Sequence, residues 1–186
     1  MIVLLVLLAL LLALAALVVV GFNRLRTADV AAQEALGGID VQLTRRADLV
    51  PNLVETVKGY AAHEREVLEE VTRARAGLAA AAGSDDVAAR AAADNLLEQA
   101  LGRLNVVAEA YPDLKADQTF LELQRQLAQT EDQVAFSRTY YNDAVGTLNT
   151  LVSTIPWMFF TGIASVGKRE FYDAPAAHDA PPTVSF

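Results

Sequence analysis

Few side chains in this sequence could do chemistry, and the spacing of those few excludes most of it. His63-Glu64 opens the HExxH pattern, in which two histidines one helical turn apart hold zinc and the glutamate serves as base. The position four after His63 is Val67, so the second ligand is missing, and the other histidine, His178, lies in the C-terminal stretch. A two-iron site in a helical bundle needs Glu-x-x-His on two helices. Glu109, Glu122 and Glu131 have no histidine three residues later. The chain has no cysteine, which removes disulfides, thiolate nucleophiles and thiolate metal sites. It has no glycine-rich phosphate loop and no Gly-x-Ser-x-Gly elbow. These residue types indicate no catalytic, cofactor or metal site and no small-molecule substrate.

What remains is a set of charges on apolar faces: Arg46, Glu64, Glu131 and Arg138. They matter because of the elements that carry them. Leu36, Leu43, Val50, Val57, Glu64, Val71 and Leu78 fall seven apart, and Ile39, Arg46, Leu53, Tyr60, Val67 and Ala74 form a second seam. A heptad pattern held this long predicts a long helix packed against other helices. Charges on its buried seams must be paired, since an unpaired buried ion costs several kcal/mol. Arg46 and Glu64 would lie roughly 27 Å apart along a straight helix, so each needs a partner elsewhere. Glu131 and Arg138 are the candidates. Such pairs set helix register more often than they catalyse.

The heptad phase continues across Pro51, which predicts one kinked helix running to about Ala82 rather than two helices. Gly37-Gly38, near its start, reads either as a hinge or as a place of tight packing. Gly83 suits a C-terminal cap, and Ser84 or Asp85 an N-terminal one. Leu96, Leu97, Ala100, Leu101, Leu104, Val107 and Ala108 define the next helix, which should end near Tyr111-Pro112-Asp113. Asp117 can cap the last, whose stripe is Phe120, Leu127, Val134, Tyr141, Val145, Leu148, Val152 and Ile155. No segment alternates with period two, so no sheet is expected. The fold class is all-α: an N-terminal transmembrane helix, then an elongated antiparallel bundle of three to four long helices.

The membrane segment is residues 1–20, which hold no charged side chain. About twenty apolar residues span a hydrocarbon layer of roughly 30 Å. No cation precedes the run and it is longer than a signal-peptide core, which favours an uncleaved anchor over residues 1–21. Arg24 and Arg26 follow it, so the bundle is expected in the cytoplasm and the N-terminus outside. The net charge of −8 argues against nucleic acid as partner. The bundle is placed at 22–156. Residues 157–173 form an aromatic segment that either covers one end of the bundle or lies at the membrane interface. In the second case Lys168 and Arg169 could meet anionic lipid. Residues 174–186 read as a disordered tail.

The run Asp40-Val41-Gln42-Leu43-Thr44-Arg45-Arg46-Ala47-Asp48-Leu49-Val50-Pro51-Asn52-Leu53-Val54, followed by Val57-Lys58-Gly59-Tyr60-Ala61-Ala62-His63-Glu64, resembles the LemA family of bacterial membrane proteins. So do Ala74-Arg75, Glu109-Ala110-Tyr111-Pro112-Asp113-Leu114-Lys115-Ala116 and Arg138-Thr139-Tyr140-Tyr141-Asn142-Asp143-Ala144-Val145. The resemblance implies one N-terminal span, a cytoplasmic bundle of four helices, and no established catalysis. Two functions then stand beside each other. One is a membrane-anchored scaffold that binds a protein partner or itself. The other is an accessory subunit of a membrane process such as envelope stress response or protein quality control.

Overall fold

The structure is a computed structural model and describes residues 1–82, 84 and 86–172. Its helices are α1 (Ile2–Tyr60), α2 (Arg65–Ala81), α3 (Val87–Glu109), α4 (Pro112–Ala116), α5 (Gln118–Ser153) and α6 (Thr161–Ala164), with a 3-10 turn over Trp157–Phe160. No described residue lies in a strand. Two compact units emerge. One joins residues 1–37 to 139–171, and the other joins 38–138 to Tyr172. Helices α1 and α5 each contribute to both units.

The second unit is an up-down-up-down four-helix bundle, and its side-chain contacts give the directions. Arg75 of α2 reaches Ala47 of α1, a pair symmetric about the turn at residue 61. Arg103 pairs with Glu70, and Tyr111 with Glu64, so α3 rises as α2 falls. Arg138 pairs with Asp94, and Gln124 with Asn105, so α5 reverses α3. Arg46 with Asp94, and Asp40 with Arg90, set α1 parallel to α3. Most α1 seam positions bury as their spacing predicts: Ile39, Leu43, Val50, Leu53 and Val57 are essentially inaccessible, whereas Tyr60, at the helix end, is exposed. Filling such positions is what stabilises a bundle, at about 1.5–3 kcal/mol per large aliphatic side chain.

The fourth helix arises where the heptad does not announce it. The long helix does not continue to Ala82; α1 stops at Tyr60, residues 61–64 turn, and α2 starts at Arg65. Heptad phase crosses this turn because Val71 and Leu78 still face the core, now on a second helix. Pro51, well before the turn, sits inside α1. Proline cannot donate to the carbonyl four residues back, which is that of Ala47. The Arg75 Nε donates to this oxygen at 2.9 Å. A guanidinium thus replaces the missing backbone donor, and the helix carries on.

Other boundaries also differ from the pattern-based expectation. Helix α1 passes through Gly37 and Gly38 without interruption, and a Cβ on either would meet nothing within 4 Å, so tight packing does not require them. Asp86, not Ser84, caps α3 by accepting from the Ala89 N–H, while Gly83 and Asp85 lie outside the described residues. Leu96 is exposed, and Leu97 carries the buried face. Asp117 accepts from the Phe120 N–H at 2.9 Å at the start of α5. That helix ends at Ser153, and Ile155 is exposed rather than part of the stripe. His178 and the 174–186 tail fall outside the described residues.

In the first unit, α1 carries the apolar run, whose side chains are exposed; it is the one described helix long and apolar enough to cross a membrane. Beyond α6, Ser165 adopts a left-handed conformation (φ 52°) and the chain turns back. Asn149 of α5 holds the returning segment at both the N–H and carbonyl of Arg169, each at 2.9 Å, and Tyr141 donates to the Glu170 carbonyl. Arg169 Nε donates to Asp29 at 2.8 Å.

Candidate functional site

The densest polar arrangement lies in the core of the four-helix bundle. Its centre is Asp94, fully buried on the inner face of α3. One carboxylate oxygen accepts from Arg46 at 2.8 Å. The other accepts from Arg138 and, at 3.3 Å, from the Tyr172 hydroxyl. Arg46 also pairs with Glu131 of α5. The Arg138 guanidinium lies 5.6 Å from the centre of the Tyr172 ring. In the first turn of α3, Arg90 grips both oxygens of Asp40 at 2.7 Å and donates to the Ser84 carbonyl at 2.8 and 2.5 Å.

Three arginines face three carboxylates, so the cluster is formally neutral. Each ion loses several kcal/mol of hydration on burial, recovered only through good geometry and added hydrogen bonds. Asp94, Arg46 and Arg90 have that geometry. Burial and the Asp94 charge push the Tyr172 hydroxyl well above its ordinary value, so it stays protonated and donates. Burial holds the Asp40 carboxyl above the usual carboxylate range, against the pull of Arg90. A carboxylate clamped by guanidiniums is a poor base, because a general base needs a pKa near the working pH and a free lone pair. Guanidinium itself does not give up its proton. What the arrangement can do is lock the relative register of α1, α3, α5 and the segment that ends at Tyr172.

Of the four charges that the sequence pattern marks, the structure brings Arg46, Glu131 and Arg138 to this cluster. Glu64 is elsewhere: it sits in the α1–α2 turn, half-exposed, and accepts from the Tyr111 hydroxyl at 3.1 Å. It is not a seam residue because the helix that would make it one has ended. Arg46 and Arg138 share Asp94, a residue that the heptad pattern does not mark. Asp40, Arg90 and Tyr172 are likewise unmarked. A signal for two of these is nonetheless present. Arg90, Ala91, Asp94, Leu97, Leu101 and Leu104 are spaced by one, three or four residues on the buried face of α3, so extending the stripe backward from Leu97 reaches Asp94 and Arg90.

Of the glutamates that could suggest iron, Glu122 and Glu131 are paired with arginines. Arg125, with the Gln126 amide, holds Glu122 down to about 2. Among the described residues no three His, Asp or Glu side chains come together as a metal site. The cluster meets the surface at a groove of about 320 Å³ flanked by Arg46, Glu98, Asn105, Gln124 and Glu131.

The residues of this cluster lie within the region that a model of the LemA family matches, residues 35–186. The chain belongs to the LemA family. Similar proteins include magnetosome protein MamQ 2 of Paramagnetospirillum magneticum, 27% identical over 86% of this chain and 67% of the relative. Magnetosome protein MamQ of Magnetospirillum gryphiswaldense is 27% identical over 81% of this chain and 64% of the relative. Protein LemA of Metamycoplasma hominis is 25% identical over 66% of this chain and 55% of the relative. This LemA-family chain thus spans about two thirds of the length of its MamQ relatives. Together with the apolar start of α1, these findings make it a membrane-associated helical protein.

Proposed function

We propose that this LemA-family chain is a membrane-anchored, non-catalytic scaffold whose bundle lies on the cytoplasmic side and recruits a protein partner or a second copy of itself. The observation that carries the reading is the closed charge cluster. Its arginines and carboxylates are spent on one another and on helix register, leaving a rigid object rather than a reactive one. The bare apolar run of α1 supports the anchor, and Arg24 and Arg26 beyond it support a cytoplasmic bundle by charge retention. The names of the MamQ relatives refer to a structure, the magnetosome, and not to a reaction.

Exposed positions on α2 are suited to the test. Arg73 borders an apolar groove of about 710 Å³ that Val54, Leu68 and Ala76 also line, and Glu66 is exposed near the start of the same helix. Photo-crosslinkers placed at Glu66 and Arg73 in native membranes should give discrete adducts that mass spectrometry identifies. Adducts of the chain with itself would make the bundle a self-assembly module. One dominant foreign protein would make the chain an accessory subunit of that partner's process. Turnover by the purified, partner-free protein would sink the non-catalytic reading.

A further inference from the structure

Resting on the reading of residues 1–20 as a membrane span, we infer that residues 155–163 form a second membrane contact, a loop dipped into the lipid headgroup–acyl boundary. The dip is visible in how the loop climbs down α1. Trp157 lies under Arg24, with the guanidinium 4.6 Å from the ring centre. Phe160 lies against Gly21, one turn nearer the apolar run, and is itself buried. A Cβ on Gly21 would come within 2.3 Å of the Phe160 ring, so the approach requires glycine at that position. As residue number rises from 157 to 160, the chain therefore moves toward the span. After Ala164 it turns at Ser165 and climbs back, with Arg169 already beside Asp29. Asp29 lies eight residues above Gly21, or about 12 Å along the helix. The lowest part of the loop is at the level where α1 becomes wholly apolar. Val18, one turn below Gly21, is the half-covered side chain in a run otherwise exposed.

The chemistry of the loop suits that depth. Residues 155–164 carry no charge. Ile155, Met158, Phe159 and Ile163 are 73%, 42%, 67% and 60% exposed, a concentration of large apolar side chains with no protein cover. The loop's polar groups bond within the loop instead: Thr161 donates to the Met158 carbonyl at 2.9 Å, and the Met158 N–H to the Thr154 carbonyl at 2.9 Å. Above this dry face sit Arg24, placed for lipid phosphate, and the Trp157 ring, an interfacial side chain by preference, while Arg26 pairs with Asp29 at 3.3 Å. Arg169 is committed to Asp29, so it does not serve lipid here. An uncharged aliphatic and aromatic face continuous with a span is matched by acyl chains, and the penetration expected of such elements is roughly 5–10 Å.

The absence of cysteine makes the test direct. Single variants Phe159→Cys, Ile163→Cys, Leu11→Cys and Glu66→Cys of the full chain would carry a nitroxide label in phosphatidylethanolamine–phosphatidylglycerol liposomes. Collision with oxygen, which partitions into lipid, is compared with collision by a water-soluble nickel chelate. At 159 and 163 oxygen should dominate, as at Leu11, whereas the nickel chelate should dominate at Glu66. Trp157, the chain's one tryptophan, should in parallel be quenched by lipids brominated near the headgroup. Nickel-dominated labels at 159 and 163 with Leu11 in lipid would overturn the inference and leave the anchor standing. Labels shielded from both reagents would mean a protein cover, which overturns it too. An aqueous Leu11 would bring down the span and this inference together.

Discussion

Helix α1 contains two kinds of hydrophobicity in one continuous element. Residues 2–20 are apolar on every side and exposed; Leu4, Leu8 and Leu11 are 71%, 52% and 63% accessible. From Leu25 to Val57 the apolar residues mostly follow one buried stripe, with Leu25, Ala32, Ile39 and Val57 at 0%, while Val30 and Val41 lie off it and are exposed. The first stretch asks nothing of its neighbours, because every backbone group is bonded within the helix and lipid accepts the side chains. The second must match every polar atom on its inner face. Arg46 needs carboxylates, and the carbonyl of Ala47, left without its donor by Pro51, needs Arg75. Hydropathy separates the two stretches, since the first carries no charge, but it does not say which face of the second is buried. Periodicity does, and it says where specific partners are required.

That contrast can be broken at its strongest point by Asp94→Ala. With the carboxylate gone, Arg46 and Arg138 lose their shared partner in the core. A loss of about 3–5 kcal/mol is expected for a buried ion left uncompensated, read by urea denaturation in micelles with circular dichroism at about 222 nm, the band of helical amides. A loss under about 1 kcal/mol, the worth of an exposed ion pair, would mean that the cluster contributes little to the fold. Next, the same deletion is compared at both ends of α1. Leu43→Ala should cost about 2–5 kcal/mol of bundle stability through lost burial and a cavity, whereas Leu11→Ala should leave the unfolding midpoint where it was. Equal effects would erase the distinction.

A smaller effect sharpens the account of Pro51. Arg75→Met removes the donor to the Ala47 carbonyl, and about 1–3 kcal/mol should be lost for the unsatisfied group. Pro51→Ala restores a backbone N–H to that carbonyl, so the Arg75→Met penalty should shrink in the Pro51→Ala background. Additive losses would show that Arg75 serves something else. The smallest expected change is a gain. Gly37→Ala meets open space in a helical backbone, so it should raise stability by about 0.4–1 kcal/mol. A destabilised Gly37→Ala protein would reveal a neighbour or a bend that glycine serves.

Much of the candidate cluster is legible in the order of residues. Polarity on an apolar seam marks Arg46 and Arg138, and Glu131 stands out as an acid on the seam of the last helix. Asp94 escapes because it stands among Ala91, Ala92, Ala93 and Asn95, where no large apolar neighbours draw the stripe. Tyr172 escapes for a different reason: it follows an irregular segment, and without periodicity nothing in the chain indicates that it returns to the core. Glu64 is misplaced by a heptad that survives a turn, since residues on two successive helices can keep one phase.

The all-α class, the apolar run, the inner face of each long helix and the family resemblance all follow from the order of residues alone. They rest on interactions between residues near each other along the chain, or on repeats that can be counted. Contacts between distant segments set the rest: where α1 ends, which carboxylate Arg46 and Arg138 share, and how the 155–164 loop folds back along α1. Gly59 weakens the last turn by about 1 kcal/mol, but Ala61 and Ala62 are good helix formers, so local preference does not by itself end the helix at Tyr60. It stops there because α2, packed back on α1 with Arg75 at Ala47 and against α3 through Glu70 and Arg103, buries Leu68, Val71 and Leu78. A single longer helix would leave those side chains in water.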